Sequence, residues 1–205
     1  MSLGERERRR AFFVSLGIEP ARVRALRQVH SRRVLAADEL PAAGEEPEAD
    51  GLLAPDPLAV LTVTVADCLP LFVADRRTGA RGLLHSGWKG TGIVSEAVAR
   101  MAALYGSRPQ DLAVVIGPGI GACCYDVPRD RFELFRQRFG AASAVEKDGR
   151  TWLDLRQANL ALLAGLEVED VTVVEDCTAC TPELASFRVL GHEGYVGMMA
   201  VMGSF

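Results

Sequence analysis

The chain has 205 residues, 49% of them apolar and 24% charged, with a formal net charge of −4. That length suits one domain with a substantial core, and an acidic balance without a basic block argues against nucleic acid as a partner. No apolar run reaches the roughly 20 residues a bilayer span needs, and the charged start "MSLGERERRRAFF" lacks the apolar stretch of a signal peptide, so a cytoplasmic protein with no membrane partner is expected.

Residues 5–17 read as a charged helix closed by Gly17, with a turn at Pro20 after it. "VRALRQVH" (23–30) and "RRVLAA" (32–37) alternate as strands do. Residues 38–50, "DELPAAGEEPEAD", read as a solvated acidic loop. "GLLA" (51–54) and "LAVLTVTVA" (58–66) follow as strands, the second apolar on both faces and therefore buried. "LPLFVAD" (69–75) and "GARGLLH" (79–85) pair as a hairpin about "RRTG".

A helix is predicted over 93–106, where Ile93, Val94, Ala97, Val98, Met101 and Leu104 recur at steps of three and four and Gly106 ends the pattern. "DLAVVIGPGIGACCYDV" (111–127) is a strand entering a Gly/Pro loop; its glycines alternate and lack the dinucleotide-binding spacing. Residues 129–140, with Phe132, Phe135 and Phe139 on one stripe, and 155–166 are helices, and 170–176 and 197–203 are strands. Strands in runs with single helices between them predict an α+β chain or a layered α/β sandwich, not a strict βαβ alternation. No internal repeat is present.

The chain has three histidines: His30, His85 and His192. His30 and His85 end apolar, strand-like runs, and Cys68 follows the buried strand 58–66. Side chains at strand ends can meet at a sheet rim, and two histidines with one cysteine form a known donor set for zinc with an open position. Spacings of 38 and 17 residues exclude a local finger; ordinary packing roles are the alternative. Cys68 and His85 alone could instead be a thiolate and its base, oriented by Asp67 or Asp154. His30 discriminates, because only the metal site needs it.

The five cysteines are Cys68, Cys123, Cys124, Cys177 and Cys180, an odd count that argues against a disulfide framework in a reducing compartment. "CTAC" (177–180) is a redox pair, half a zinc site, or packing. Cys123 and Cys124 point to opposite faces if extended, so one at most would serve a given site. In "LLHSGWKGTG", Gly87, Gly90 and Gly92 would let N–H groups approach an anion, with Lys89 and the helix start at Ile93 adding positive charge. An ordinary turn with a solvated lysine is the alternative.

Taken together, "RQVHSRRV", "ADGLLA", "TVADCLPLFVAD", "LLHSGWKGT", "IGPGIGACCYDV", "LDLRQANLALL", "DCTAC" and "SFR" resemble the YfiH/YlmD family from about residue 5 to about residue 190. That family is long labelled multicopper polyphenol oxidase (laccase), and its members are also described as zinc-dependent purine nucleoside phosphorylases with adenosine deaminase activity. The resemblance implies a single domain over 1–205, built as a layered α/β/β/α-type sandwich with mixed sheets. It implies a metal at His30, Cys68 and His85, with zinc ahead of copper. It implies a nucleoside (adenosine, inosine, guanosine or methylthioadenosine) and phosphate as small-molecule partners, and hydrolytic deamination of adenosine. On that reading Cys68 and His85 are catalytic through the metal and Asp67 carries the proton. Lys89 and Arg188 hold phosphate, and Cys124, Tyr125, Asn159 and Thr178 line the pocket. The oligomeric state is left open, with a monomer as the working expectation.

The chain departs from the family pattern in three places. It begins near the helix that family members reach after a further strand. Lys89 stands in "GWKG" where the family has arginine. Arg188 is kept, but Val189 and Tyr195 stand where two further arginines are usual, which bears on phosphate binding. Three other readings remain: a phenol oxidase, opposed by a histidine count too small for several coppers; a Cys–His thiol hydrolase; and a non-catalytic binding member.

Overall fold

A computed structural model describes residues 3–40, 46–194 and 197–203. In chain order its elements are α1 (Leu3–Ser15), β1 (Val23–Arg24), β2 (Val34–Ala36), β3 (Gly51–Ala54), β4 (Val60–Val65), β5 (Leu69–Asp75), β6 (Arg81–Ser86), α2 (Ile93–Tyr105), β7 (Leu112–Ile116), α3 (Arg129–Phe139), β8 (Ala144–Lys147), β9 (Arg150–Leu153), α4 (Leu155–Gly165), β10 (Asp170–Val173), α5 (Phe187–Leu190) and β11 (Met198–Met202). A six-stranded mixed sheet runs β10-β7-β5-β6-β3-β2, a three-stranded sheet runs β1-β4-β11, and β8 pairs with β9.

The layers follow from the two-residue period of the strands. On β3 and β6, Leu52 and Leu83 pack with Leu61, Val63 and Val65 of β4, which joins the two sheets face to face. Their neighbours Leu53 and Leu84 point the other way, into a core with Ile93, Val94, Ala97 and Met101 of α2, Phe132 and Phe135 of α3, and Ala158 and Leu163 of α4. Outside the small sheet, Phe13 of α1 and Ile18 cover Val60. The result is the expected α/β/β/α layering. No helix among the described residues is long and apolar enough to cross a membrane.

Most predicted helices and strands form, with informative exceptions. Gly106 caps α2 in the left-handed region at φ 65°, donating to the carbonyls of Ala102 and Met101. Leu104, counted with that helix's apolar stripe, is 48% exposed. Only Val23–Arg24 of the expected strand 23–30 is a strand, and His30 lies in a loop beyond it at φ 59°. The acidic segment 38–50 is only partly a solvated loop where it is described: Asp38, Glu39 and Glu48 are exposed, but the chain around them is ordered and its end is buried. Ala37–Glu39 form a 3-10 turn, Glu48 bridges to Arg27, and Ala49 and Asp50 have no exposed surface; residues 41–45 lie outside the described residues. The β8–β9 hairpin and the short α5 have no counterpart in the sequence reading.

The hairpin of β5 and β6 pairs Leu69 with Ser86 and Pro70 with His85. Its turn is closed by the buried Asp75, whose Oδ1 accepts from the N–H groups of Arg77 (2.7 Å) and Thr78 (3.0 Å). Burial alone would raise the Asp75 carboxyl, but the neighbouring Ser107 hydroxyl and these N–H groups bring it down to about 2. A folded value below the ordinary carboxylate value stabilises the fold above about pH 4, and that contribution is lost as pH falls toward the folded value. Asp75→Asn is therefore expected to lose less stability than the wild type between mildly acidic pH and pH ~2, as read by urea denaturation across that range. Parallel pH profiles for the two proteins would contradict this role.

Candidate functional site

The hairpin register assembles the site. One step beyond Leu69 and Ser86, Cys68 faces Gly87. A Cβ at Gly87 would lie 2.6 Å from the Cys68 sulfur and 3.4 Å from the His30 ring, so only glycine allows this approach. On the other side of β6, β3 pairs Gly51 with Leu84, and one step further the His85 N–H donates to the Asp50 carbonyl at 2.7 Å. His85 thus lies between Cys68 on one neighbouring segment and Asp50 on the other.

Asp50 fixes both histidines. Its carboxylate accepts from the consecutive N–H groups of Val29 (3.2 Å), His30 (3.0 Å) and Ser31 (2.7 Å), from the Ser31 hydroxyl (2.8 Å), and from His85 Nδ1 (2.8 Å). Three successive amides turned toward one anion form a backbone nest, which explains the left-handed conformation of His30. A residue with a Cβ pays roughly 1–3 kcal/mol for such backbone, so the surroundings must over-determine it. Burial would raise the Asp50 carboxyl, but donation from His85 and Ser31 outweighs it and holds the value at about 2.

The donor atoms of His30, Cys68 and His85 all lie within 4.8 Å of one another, and the two imidazoles meet edge to face with centroids 4.9 Å apart. His85 is buried, Cys68 half-buried and His30 exposed. With Nδ1 of His85 committed to Asp50, Nε2 is left for the shared centre. Burial pushes the Cys68 thiol up, yet hydrogen bonding with His30 and His85 brings it down to about 7. Burial pushes His85 down, yet Asp50 and Cys68 raise it to about 9. The residues fit a divalent metal: two imidazoles and a thiolate are a zinc donor set, and a carboxylate behind a ligating histidine is the usual support.

Above the trio lies a cavity of about 550 Å³. His30 and Cys68 line it with Asp67, the aromatic side chains Trp88, Tyr125 and Phe187, and the cations Lys89, Arg131 and Arg188. His192 and Leu155 also reach it. The Arg131 guanidinium lies 4.0 Å from the centre of the Trp88 ring, and Lys89 Nζ lies 5.5 Å from it. Arg188 donates to the Asp126 carboxylate at 2.6 Å and to the Asp126 carbonyl at 3.2 Å, and lies over Tyr125. Asp67, at φ 78°, accepts from the Thr178 hydroxyl and the Arg188 N–H, each at 2.7 Å.

Of the predicted site residues, His30, Asp67, Cys68, Lys89, Tyr125 and Arg188 therefore meet at one cavity, with His85 directly beneath. Three others fall outside its lining. Asn159 is fully buried and donates to the Leu155 carbonyl and the Ser86 hydroxyl, tying α4 to β6. Thr178 acts behind Asp67. Cys124 belongs to a separate group with Cys123, Cys177 and Cys180. Asp154 caps α4, accepting from the amides of Arg156 and Gln157, so it does not orient His85. Among the loop glycines, Gly90 packs on the Ser31 carbonyl and Gly92 takes φ 108° at the start of α2. Tyr195 lies outside the described residues. Sequence reasoning missed Asp50, hidden by its acidic neighbours although it opens the apolar strand in "ADGLLA". It also missed Arg131, which reads as one more charge on the polar side of α3.

Residues 5–203 match the family described as Multi-copper polyphenol oxidoreductase laccase. The chain is 34% identical over 198 residues to a protein of Deinococcus radiodurans named purine nucleoside phosphorylase, covering 96% of this chain and 76% of that one. It is 35% identical over 166 residues to purine nucleoside phosphorylase YlmD of Geobacillus stearothermophilus, covering 77% of this chain and 60% of that one. Among solved structures, Bacillus licheniformis YfiH superposes with a TM-score of 0.87 at 28% identity, covering 96% of this chain and 79% of that one. Geobacillus YlmD gives 0.85 at 28% identity, with 95% and 78% covered.

Asp50→Asn keeps the size of the side chain but removes its charge and turns an NH2 donor toward either the nest amides or His85. Zinc affinity at the trio is expected to fall about 10–100-fold, the usual cost of losing the partner behind a ligating histidine. Competition with a chromogenic chelator measures it, and an unchanged affinity would show that Asp50 does not support the site.

Proposed function

The chain belongs to the multi-copper polyphenol oxidoreductase laccase family, and within it we propose a purine nucleoside phosphorylase working at a divalent metal, zinc ahead of copper, held by His30, Cys68 and His85. The observation that carries the reading is the convergence of two imidazoles and a thiol beneath a cavity of nucleoside size that is walled by aromatic rings and three cations. The names of the Deinococcus and Geobacillus relatives support the same reaction class.

Phosphorolysis exchanges the glycosidic C–N bond for a C–O bond to phosphate, releasing the purine base and the sugar 1-phosphate. The metal, when bound, supplies Lewis acidity toward an oxygen of the reacting partners. Lys89, Arg131 and Arg188 offset the phosphate charge, and their charge is in place before the substrate arrives. Arg131 of α3 thereby serves where the chain has Val189 and Tyr195 in place of arginines. Trp88, Tyr125 and Phe187 offer faces for a planar base and exclude water from the bond being broken. Asp67, positioned by Thr178 and the Arg188 amide, takes a proton from the incoming phosphate and passes it to the departing base. For deamination, water would add at C6 of the adenine ring and not at C1′ of the sugar, and the same carboxylate would take a proton from that water and pass it to the amino group, which leaves as ammonia to give inosine. Adenosine, inosine, guanosine and methylthioadenosine are the candidate substrates.

A second reading has a specific observation behind it. Asp50, His85 and Cys68 are linked in a row, as in a thiol hydrolase, with the orienting carboxylate being Asp50 and not Asp67 or Asp154. Sensitivity to metal removal separates the two.

For the metal reading, His30→Ala is expected to lose the trio's ion and to reduce phosphorolysis of inosine by more than the roughly 10–100-fold typical of an outer partner. Elemental analysis and chromatography of the released base are the readouts. Activity that survives both His30→Ala and a chelator would move the assignment to the thiol reading. Arg131→Ala is expected to raise the KM for phosphate about tenfold or more, the scale of a lost charged contact, with a smaller change in kcat. Steady-state kinetics at varied phosphate would show it, and an unchanged KM would remove Arg131 from the phosphate site.

A further inference from the structure

Cys123, Cys124, Cys177 and Cys180 come from two loops, yet their sulfurs all lie within 4.8 Å of one another. We propose that these four thiols hold a second, structural divalent cation of the zinc class, and that this four-thiolate centre staples the loop after β7 to the loop after β10 at the cavity wall.

Two turns make the cluster. The Gly121 carbonyl accepts from the amides of Cys124 and Tyr125, each at 3.0 Å, so the chain curls and the adjacent cysteines face the same way. The expectation that only one could serve a site assumed extended backbone and does not hold here. The Cys177 carbonyl likewise accepts from the amides of Cys180 and Thr181, each at 3.0 Å. The turns face each other across a bridge between Gly119 and Cys177. Cys180 sulfur lies 3.7 Å from that of Cys123 and 3.3 Å from that of Cys124. Zinc at about 2.3 Å from four tetrahedral sulfurs places them about 3.8 Å apart, so small shifts complete the geometry. The same separations are well beyond the ~2.05 Å of a disulfide.

Charge provides the second argument. A four-thiolate site with a divalent ion carries two net negative charges. The Arg156 guanidinium, 8% exposed, donates to the carbonyls of Gly119, Val174 and Asp176 and has no ion pair among the described residues. It borders the cluster: a Cβ at Gly121 would lie 3.4 Å from Arg156 Nη1 and 3.2 Å from the Cys123 sulfur. A buried cation without a counter-charge is costly, and the thiolate centre would supply one. The Gly121 amide also donates to the Cys177 sulfur at 3.2 Å, a contact that strengthens when the sulfur is ionised. The staple would act on the cavity through its neighbours, since Cys124 precedes Tyr125 and Cys177 precedes Thr178, the partner of Asp67.

The centre is independent of the phosphorylase reading, and metal stoichiometry separates them. Protein purified with reductant is expected to carry two equivalents of zinc per chain by elemental analysis and native mass spectrometry. One equivalent should remain in His30→Ala and one in the double variant Cys177→Ser/Cys180→Ser. Cobalt(II) loaded into His30→Ala should show the strong thiolate-to-metal absorption of a four-sulfur tetrahedral site. That measurement decides the matter if the double cysteine variant fails to fold. A single equivalent that survives His30→Ala and is lost in the cysteine variant would support this centre while refuting the trio. Metal-free His30→Ala, four freely alkylated thiols without chelator, or a disulfide among them would overturn it.

Discussion

A buried carboxylate in a nest of backbone amides holds the site together. Asp50 has no exposed surface, and an ionised group in that position is tolerable only when its acceptor sites are filled. Here the filling is informative, because the donors are the backbone about His30 and the ring of His85. One charge therefore imposes a left-handed conformation on one histidine and orients the ring of the other. The same residue immediately precedes β3, so the nest is locked to the sheet register, and the sheet register in turn sets Cys68 beside His85. Loop segments deliver His30 and Cys68, but their positions are dictated by the sheet beside them.

That arrangement explains how a site with few charged ligands can still be specific. The trio is built where β3, β6 and the start of β5 meet, and the cavity above it is walled by segments from distant parts of the chain. Lys89 comes from the loop after β6, Arg131 from α3, and Arg188 from α5. Arg188 is held by Asp126 and its own amide serves Asp67, so a cation and a carboxylate of opposite function are set by one short helix. The six-stranded sheet supplies rigidity at the floor, and the loops supply chemistry at the rim.

Much of this was legible in the residues, and the failures have identifiable causes. The period-two strands, the hairpin 69–85 and the helix stripes reflect local backbone preference and burial, so pattern yields the elements and an α+β or layered α/β reading, while the α/β/β/α order is what the family resemblance implies. The trio was visible as two histidines and a cysteine at the ends of apolar runs. Asp50 was not, because composition averages over a segment and its neighbours are acidic for other reasons. The sequence reads His30 as the end of a strand because nothing local marks a left-handed residue whose cause is a carboxylate twenty residues away. Of the four clustered cysteines the sequence shows "CTAC" as half of a zinc site at most, because the face that Cys123 and Cys124 share depends on a turn, not on spacing. Asn159 and Thr178 are polar residues whose work is to tie α4 to β6 and to hold Asp67, which no motif distinguishes from lining a pocket.

The central claim is that Asp50 organises His30, Cys68 and His85 around one ion. A zinc-edge anomalous difference map from crystals of the metal-loaded protein tests it most directly. The account predicts a peak at about 2.0–2.1 Å from one nitrogen of His30 and from Nε2 of His85, and about 2.3 Å from the Cys68 sulfur, with Nδ1 of His85 still on Asp50. No peak between those three side chains, or a peak bound through Nδ1 of His85 with Asp50 displaced, would contradict it.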